Sequence, residues 1–395
     1  MKIAIDTFGS EHGRSGFGSY ILNFISNLPP DLFNLELKAT TINADTKKNQ
    51  KKESDSKKTP SIQIELFGEE NDRYTYTSGK AISFAAPKIS LSKKAEQRWH
   101  LRKINRFIKK NKYDAVIYPC VSKVFPVKFK KYTGIAIINS IISNDFEEMP
   151  FIQKKRLKKG LKNIQKIIAA SEFIKNNLIS LGISAEKITV IHNGIDHKIF
   201  FPMVNLDNDI IDIKPFSIKR PYFVYGSSLS CPEKKHIELI NAFEIFKKNT
   251  KLPHRLVLAG EESKYSEKIR KAVFSSEFAS DIFLVGFFPH ESFAKLYAGA
   301  EACVFPSVNE GVGLPILEAM ACGIPVLCSA EGALKEIGGS SPLYFDSNNI
   351  KQIADFMQEI VENKELRKNI VFDSILWANE FNWECTVKKT LALLQ

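Results

Sequence analysis

The chain has 395 residues, 44% of them hydrophobic and 25% charged. That is a globular mixture with room for two cores, and it excludes a disordered, collagen-like or coiled-coil chain. The net charge of +12 is uneven: residues 1–200 carry 35 Lys and Arg against 19 Asp and Glu, whereas 201–395 carry 21 against 25. The first half therefore either faces a polyanion (nucleic acid, an acidic membrane surface, a phosphorylated substrate) or has solvated lysine-rich faces.

Residues 2–6 read as a short apolar strand, and Asp6 arrives too early for a secretory signal. A loop with Gly9, Gly13, Gly16 and Gly18 follows, then a helix with Tyr20, Ile21, Phe24, Ile25 and Leu28 at helical spacing, stopped by Pro29-Pro30. Strand, glycine loop and helix open many α/β nucleotide folds, but the spacing Gly-x-x-Gly-x-Gly is not the dinucleotide fingerprint. Residues 46–60 form a polar lysine–serine run, read as a loop. Residues 93–112 predict a basic amphipathic helix with Trp99, Ile104, Phe107 and Ile108 as its stripe, and 151–166 predict a second. Between them lie strands at 114–118 and 133–142. The longest apolar stretch, 134–142, is far short of the roughly 20 residues that cross a bilayer.

Strands at 167–170 and 188–191 follow, with Ser171 as a natural N-cap and Glu172 at the positive end of its helix. Residues 201–220 show no periodicity and read as a linker. A second series starts at Tyr222: strands at 223–225, 255–258, 282–285, 302–305 and 325–327 alternate with helices at 236–248, 266–273, 290–298 and 315–321. Two such series imply two doubly wound parallel sheets, with ligands at the C-terminal strand ends and the working cleft between domains. The expected organisation is an acceptor domain over 1–200, a nucleotide domain over 215–375 and a final helix over 376–395. The six cysteines (Cys120, Cys231, Cys303, Cys322, Cys328, Cys385) contain no Cys-x-x-Cys pair and read as reduced thiols of a cytoplasmic protein. Asp207-Asn208-Asp209 has the form of a metal-binding Asp-x-Asp, but no strand precedes it, and it reads as a solvated turn.

The chemistry concentrates in residues 305–323, a strand end, a tight glycine loop and a short helix. Pro315 suits the first helical position and Gly323 the position past the end. Gly311 and Gly313 clear the loop of bulky side chains, so the amides of Gly313 and Leu314 would meet a diphosphate at the positive end of the helix. Glu318, on the helix, could accept both ribose hydroxyls. Glu310, before the loop, could accept hydroxyls of a group carried on the diphosphate.

This segment resembles the Glu-Gly-Phe-Gly-Leu-Pro-x-Leu-Glu-Ala-Met-Ala-x-Gly-x-Pro-Val signature of retaining family 4 glycosyltransferases, with Val312 in place of the usual aromatic residue. Residues 191–196 with Phe200 and Pro202, Ser171-Glu172, and Pro232-Glu233-Lys234-Lys235-His236 with Ala242-Phe243 resemble other segments of that family. The resemblance implies a GT-B fold, two Rossmann-like domains facing a central cleft, with the last helix crossing back on Trp377, Phe381 and Trp383. It also implies a cytoplasmic, peripheral hexosyltransferase of mannosyltransferase type. Its donor would be a GDP- or UDP-sugar and its acceptor a glycan or lipid-linked intermediate of surface polysaccharide synthesis. No metal and no nucleic acid would take part.

The same resemblance assigns Lys235, with Lys234, to the leaving diphosphate, Glu310 to the sugar and Glu318 to the ribose. Gly286, Phe287 and Phe288 would hold the base, and Gly16 and Gly18 would lie near the sugar and phosphates. Gly311, Val312, Gly313 and Leu314 line the donor. Two positions depart from the family. Asn139-Ser140 stands where many relatives carry His-Asp; an amide can bind a sugar hydroxyl but cannot act as a base. Ser227-Ser228 follows Gly226 where an arginine is common, which leaves Ser227 beside the donor and His12 as a substitute polar contact. Two rival readings are a catalytically silent glycosyltransferase-like scaffold and a dinucleotide-dependent oxidoreductase; the latter needs an acid at the end of the second strand.

Overall fold

The computed structural model describes residues 1–13, 15–29, 62–69, 72–76, 83–85, 100–102, 104, 106–108, 110–129, 131–203, 209–213 and 215–394. The polar run 46–60, Trp99 and the Asp207-Asn208 pair lie outside these residues. The first sheet comprises β1 Lys2–Asp6, β2 Gln63–Phe67, β3 Ser83–Ala85, β4 Ala115–Tyr118, β5 Thr133–Ile138, β6 Lys166–Ala169 and β7 Ile188–Val190. All seven strands are parallel, in the order β3-β2-β1-β4-β5-β6-β7. An antiparallel hairpin, β8 Ile210–Ile213 and β9 Phe216–Lys219, follows. The second sheet comprises β10 Tyr222–Gly226, β11 Arg255–Ala259, β12 Ile282–Gly286, β13 Ala302–Phe305, β14 Val326–Ser329 and β15 Leu343–Phe345, all parallel, in the order β12-β11-β10-β13-β14-β15. This is the GT-B arrangement of two Rossmann-like domains. Strands such as Tyr222–Gly226 are buried on both faces, which is why they read as unbroken apolar runs.

The helices of the first half are α1 Gly16–Ser26, α2 Asp72–Tyr76, α3 Ile142–Glu148, α4 Phe151–Asn163 and α5 Glu172–Ser180; residues 100–102, 106–108, 110 and 111 are also helical. Those of the second half are α6 His236–Thr250, α7 Ser266–Ser275, α8 Ser292–Ala298, α9 Leu314–Ala321, α10 Leu334–Gly338, α11 Ile350–Glu362, α12 Lys364–Asn379 and α13 Trp383–Ala392. Both basic helices turn their apolar stripes inward. Ile104 and Ile108, and Leu157 and Leu161 of α4, sit in one core with Val116, Ala136 and Ile167. Each such Leu or Ile stabilises by about 1.5–3 kcal/mol, so packing explains these apolar positions, while Arg102, Arg106, Lys110, Lys155, Arg156, Lys158, Lys159 and Lys162 are exposed.

Three expectations are corrected. Residues 201–220 are no bare linker: Ile211, Ile213 and Ile218 of the hairpin join the second core, and a four-residue ribbon is too short to show periodicity. The 133–142 strand stops at Ile138 because Ile142 opens α3. The crossing helix begins later than 376. Trp377 donates its indole N–H to Ile337 O (2.7 Å) and Phe381 packs in the second core, so both stay with the second domain. Trp383, Val387 and Leu391 of α13 pack with Tyr20 and Phe24 of α1 in the first. Gly194 permits the crossover, since a Cβ there would lie 2.2 Å from the Trp383 nitrogen.

Candidate functional site

Strand order reverses between β1 and β4 in the first sheet and between β10 and β13 in the second. A doubly wound sheet leaves a crevice at such a point, beyond the C-terminal strand ends. In the second domain that crevice is walled by the loop after β10, residues 227–235, and the loop after β13, residues 306–313.

The two loops are stitched together. The Val308 N–H donates to Glu233 O (2.9 Å), and the hydroxyl of the buried Tyr225 donates to Lys234 O (2.8 Å). Lys234 Nζ thereby sits 2.6 Å from Glu310 Oε1, which also accepts from Ser307 Oγ at 2.5 Å. The Glu310 backbone is clamped from behind. Ala333 N–H donates to Glu310 O (2.8 Å), and Gly332, at φ +64, lies so close that a Cβ would stand 2.7 Å from Glu310 N and O. Lys235 does not join them. Its backbone is left-handed (φ 56) as it caps α6, and this turns its ammonium to Glu238 Oε1 (3.0 Å) and Asn348 Oδ1 (2.9 Å). Of the two lysines expected at the diphosphate, Lys234 is the one that meets Glu310.

At the mouth of α9, Gly313 is the N-cap at φ 71, with Leu314 and Pro315 starting the helix; Cys322 ends it and Gly323 follows at φ +75. Pro315 has no N–H and the Ile316 N–H donates to Gly313 O (3.2 Å), so the open amides at this helix mouth are those of Gly313 and Leu314. The preceding residues face the other domain. Gly311 O accepts from Ser171 Oγ (2.7 Å), a Cβ on Gly311 would touch Ile174, and Val312 packs on the first core. Val312, expected at the donor, makes a cross-cleft contact here. A second cross-cleft knot lies beside it. Glu336 of α10 accepts from the amides of Glu172 (2.9 Å) and Phe173 (3.4 Å) at the start of α5, and lies 2.6 Å from His192 Nε2. Burial works to raise the Glu336 pKa, but His192 and the two amides outweigh it and hold the carboxyl below its usual range.

Glu318 is buried on α9, and its Oε1 lies 2.8 Å from Nε2 of the half-exposed His290. Burial lowers the imidazole pKa, but the hydrogen bond and charge of Glu318, with Glu291 and Asp196 nearby, raise it overall. Gly286, at φ +71, has open space where a Cβ would stand, and Phe287 beside it is 72% exposed. Phe288 is buried against Phe216 and Phe293 and so belongs to the core rather than a base site. Ser227 follows β10; its N–H donates to Ala259 O (2.8 Å), and its own carbonyl leaves room only for glycine at Gly260.

Across the cleft, Gly16 opens α1 with nothing near its Cβ position, whereas Gly18 is buried against Gly13 and Ser10 O and serves the loop's packing. Ser15 caps α1 by accepting from Gly18 N–H (3.2 Å). Asn139 follows β5 at the cleft edge, and its Oδ1 is buried with no hydrogen-bond partner. The Gly9–Gly18 loop rests on residues that carried no motif. Asp6 accepts from Phe8 N–H (3.1 Å) and lies 3.0 Å from the fully buried His100 Nε2; His12 Nδ1 lies 2.7 Å from Asp72 Oδ1. His12 is thus held by an acid of α2 at the loop's outer wall. Sequence offered no signal for Asp72 or His100, which meet Thr7 and Asp6 from 65 and 94 positions away. Burial, then Asp6 and Asp72, push the Cys120 thiol well up, so no thiolate nucleophile stands here. The acid after the second strand is Glu69, 3.5 Å from His12 Nε2. Among the described residues, no cluster of three or more His, Cys, Asp or Glu is placed to hold a metal.

Family models match both halves: "Glycosyltransferase Family 4" over residues 68–199 and "Glycosyl transferases group 1" over 208–373. The O-antigen chain mannosyltransferase B of Escherichia coli is 31% identical over 168 residues, 42% of this chain and 44% of that protein. The capsular polysaccharide biosynthesis glycosyltransferase CapM of Staphylococcus aureus is 27% identical over 208 residues, 52% of this chain and 54% of that protein. The chain thus spans about half the length of these curated relatives. Among solved structures, Anabaena HepE in complex with UDP and glucose superposes with a TM-score of 0.71 at 15% identity, covering 100% of this chain and 98% of that one.

Proposed function

We propose that this chain, a member of the glycosyltransferases by its family 4 and group 1 domains and its GT-B fold, is a retaining hexosyltransferase of surface polysaccharide synthesis. The observation that carries the reading is the Lys234–Glu310 pair at the switch point of the second sheet, beside the open amides of α9. A nucleoside diphosphate fits there: its phosphates on the α9 amides and Lys234, its ribose on Glu318, its base along Gly286 and Phe287. The sugar lies between Glu310 and Asn139, whose unpartnered Oδ1 would accept a hydroxyl. GDP- and UDP-sugars both suit this frame; the relatives named as mannosyltransferases support mannose as the sugar, and a guanine nucleotide is our preferred carrier.

The chemistry is front-side transfer. The bond from the anomeric carbon to the phosphate oxygen breaks while the acceptor oxygen bonds to the same face. The acceptor's proton passes to the leaving phosphate, so Asn139 need not act as a base. Lys234 and the α9 amides stabilise the departing charge without a metal.

The acceptor is a glycan or lipid-linked chain met at the inner membrane face. α4 supports this. Its buried stripe leaves Phe151 and Ile152 77% and 73% exposed, next to Lys154, Lys155, Arg156, Lys158, Lys159 and Lys162. Each cation is worth about 1 kcal/mol near anionic lipid. No helix among the described residues is long and apolar enough to cross a membrane.

The test is thermal unfolding with GDP or UDP and no added metal. A ligand at 100 times its Kd stabilises by about 2.7 kcal/mol, and Glu318→Ala should abolish the shift. No stabilisation by either nucleotide overturns the donor assignment. Binding without hydrolysis or transfer of any nucleotide sugar favours the silent-scaffold reading, and an NADH response would revive the oxidoreductase.

A further inference from the structure

We propose that His290 is the positioning residue for ribose recognition: it holds the Glu318 carboxylate aimed, and so sets the preference for a ribonucleotide over its 2′-deoxy form. This rests on the reading that Glu318 takes the donor's ribose.

Glu318 is 6% exposed, on a helix whose other buried residues from Ile316 to Ala321 are apolar or sulfur-bearing. A carboxylate so enclosed is costly unless a hydrogen-bonded cation or donor answers it. His290 supplies that answer at 2.8 Å, on Oε1, and leaves Oε2 for hydroxyls. One side of the half-exposed imidazole is braced. Phe200, fully buried, sets its ring edge-on at 5.0 Å. His290 also follows the loop that begins at Gly286 and carries the exposed Phe287, between the expected base and ribose positions.

The geometry separates two effects. Losing the base stack would weaken every nucleotide alike. Losing the His290–Glu318 bond should weaken ribonucleotides more than 2′-deoxy forms, which present Glu318 with the 3′-hydroxyl alone.

The test is titration calorimetry of the full chain with GDP and 2′-deoxy-GDP (or the UDP pair, whichever binds), for wild type, His290→Phe and His290→Gln. Wild type should prefer the ribonucleotide by about 10-fold or more, as expected for a hydrogen bond to a charged group. His290→Phe should lower ribonucleotide affinity by about that factor, lower that of the deoxy form less and bring the ratio toward 1. His290→Gln, which keeps a donor, should retain most of the preference, and this rescue also shows that the fold survives. A wild-type ratio in His290→Phe overturns the inference while leaving the donor reading intact. Failure of every nucleoside diphosphate to bind wild type overturns both.

Discussion

Replacing Lys234 by Ala and, separately, Lys235 by Ala puts the site assignment at risk. Lys234 Nζ and Glu310 Oε1 are 2.6 Å apart, with both side chains mostly shielded from water. At an effective dielectric of about 20 the bare attraction is roughly 6 kcal/mol, but most of it offsets the loss of solvation. Ser307 still donates to Glu310 in the variant, so stability should fall by only about 1–3 kcal/mol.

The catalytic cost is larger. Removing one preorganised donor from the departing diphosphate costs about 2.7–4 kcal/mol, or 10²–10³ in kcat. Because that charge develops in the transition state, kcat should fall far more than KM rises. Lys235 bonds to Glu238 and Asn348; its loss should cost less than about 1 kcal/mol of stability and leave kcat/KM within a few-fold. The assay is steady-state transfer or hydrolysis of the nucleotide sugar, with thermal unfolding confirming that both variants fold. If Lys235→Ala proves as damaging to kcat as Lys234→Ala, the placement of the site is wrong.

Other outcomes follow from the same geometry. Gly332→Ala should destabilise by about 1–3 kcal/mol through backbone strain, and should also depress activity, because its Cβ would press on the Glu310 backbone; a variant with wild-type melting and rate would show that the clamp is unimportant. Glu336→Gln should loosen the cleft by about 1–2 kcal/mol, seen as a larger radius of gyration by small-angle scattering, and an unchanged profile would remove Glu336 as a latch. Acid should destabilise the fold between pH 6.5 and 4. Burial lowers His236 and His254 to about 4, aided at His254 by Lys247 and Arg367. The unfolded chain then takes up protons that the native one refuses, costing up to about 3 kcal/mol per histidine at pH 4. Denaturant titrations of His254→Gln should show a shallower pH slope than wild type; an identical slope would mean His254 titrates normally.

Much of this was legible in the chain itself, because it depends on neighbours in sequence. The fully buried parallel strands announce themselves as apolar runs, and the helix α9 carries its own start and stop in Gly313, Pro315 and Gly323. The signature around Glu310 and Glu318 is contiguous for the same reason: one strand end, one loop and one helix present all its groups. Only tertiary structure could decide which neighbour each group meets. Lys234 and Lys235 are equivalent in composition and differ only because a left-handed residue at 235 turns one ammonium from the other's path. Phe287 and Phe288 differ only in which side of a loop faces the core. His290 with Glu318 and Asp6 with His100 close within one domain, and His192 with Glu336 closes across the cleft; no local pattern encodes contacts between residues 28, 94 and 144 positions apart, because only the packed sheets bring those loops together.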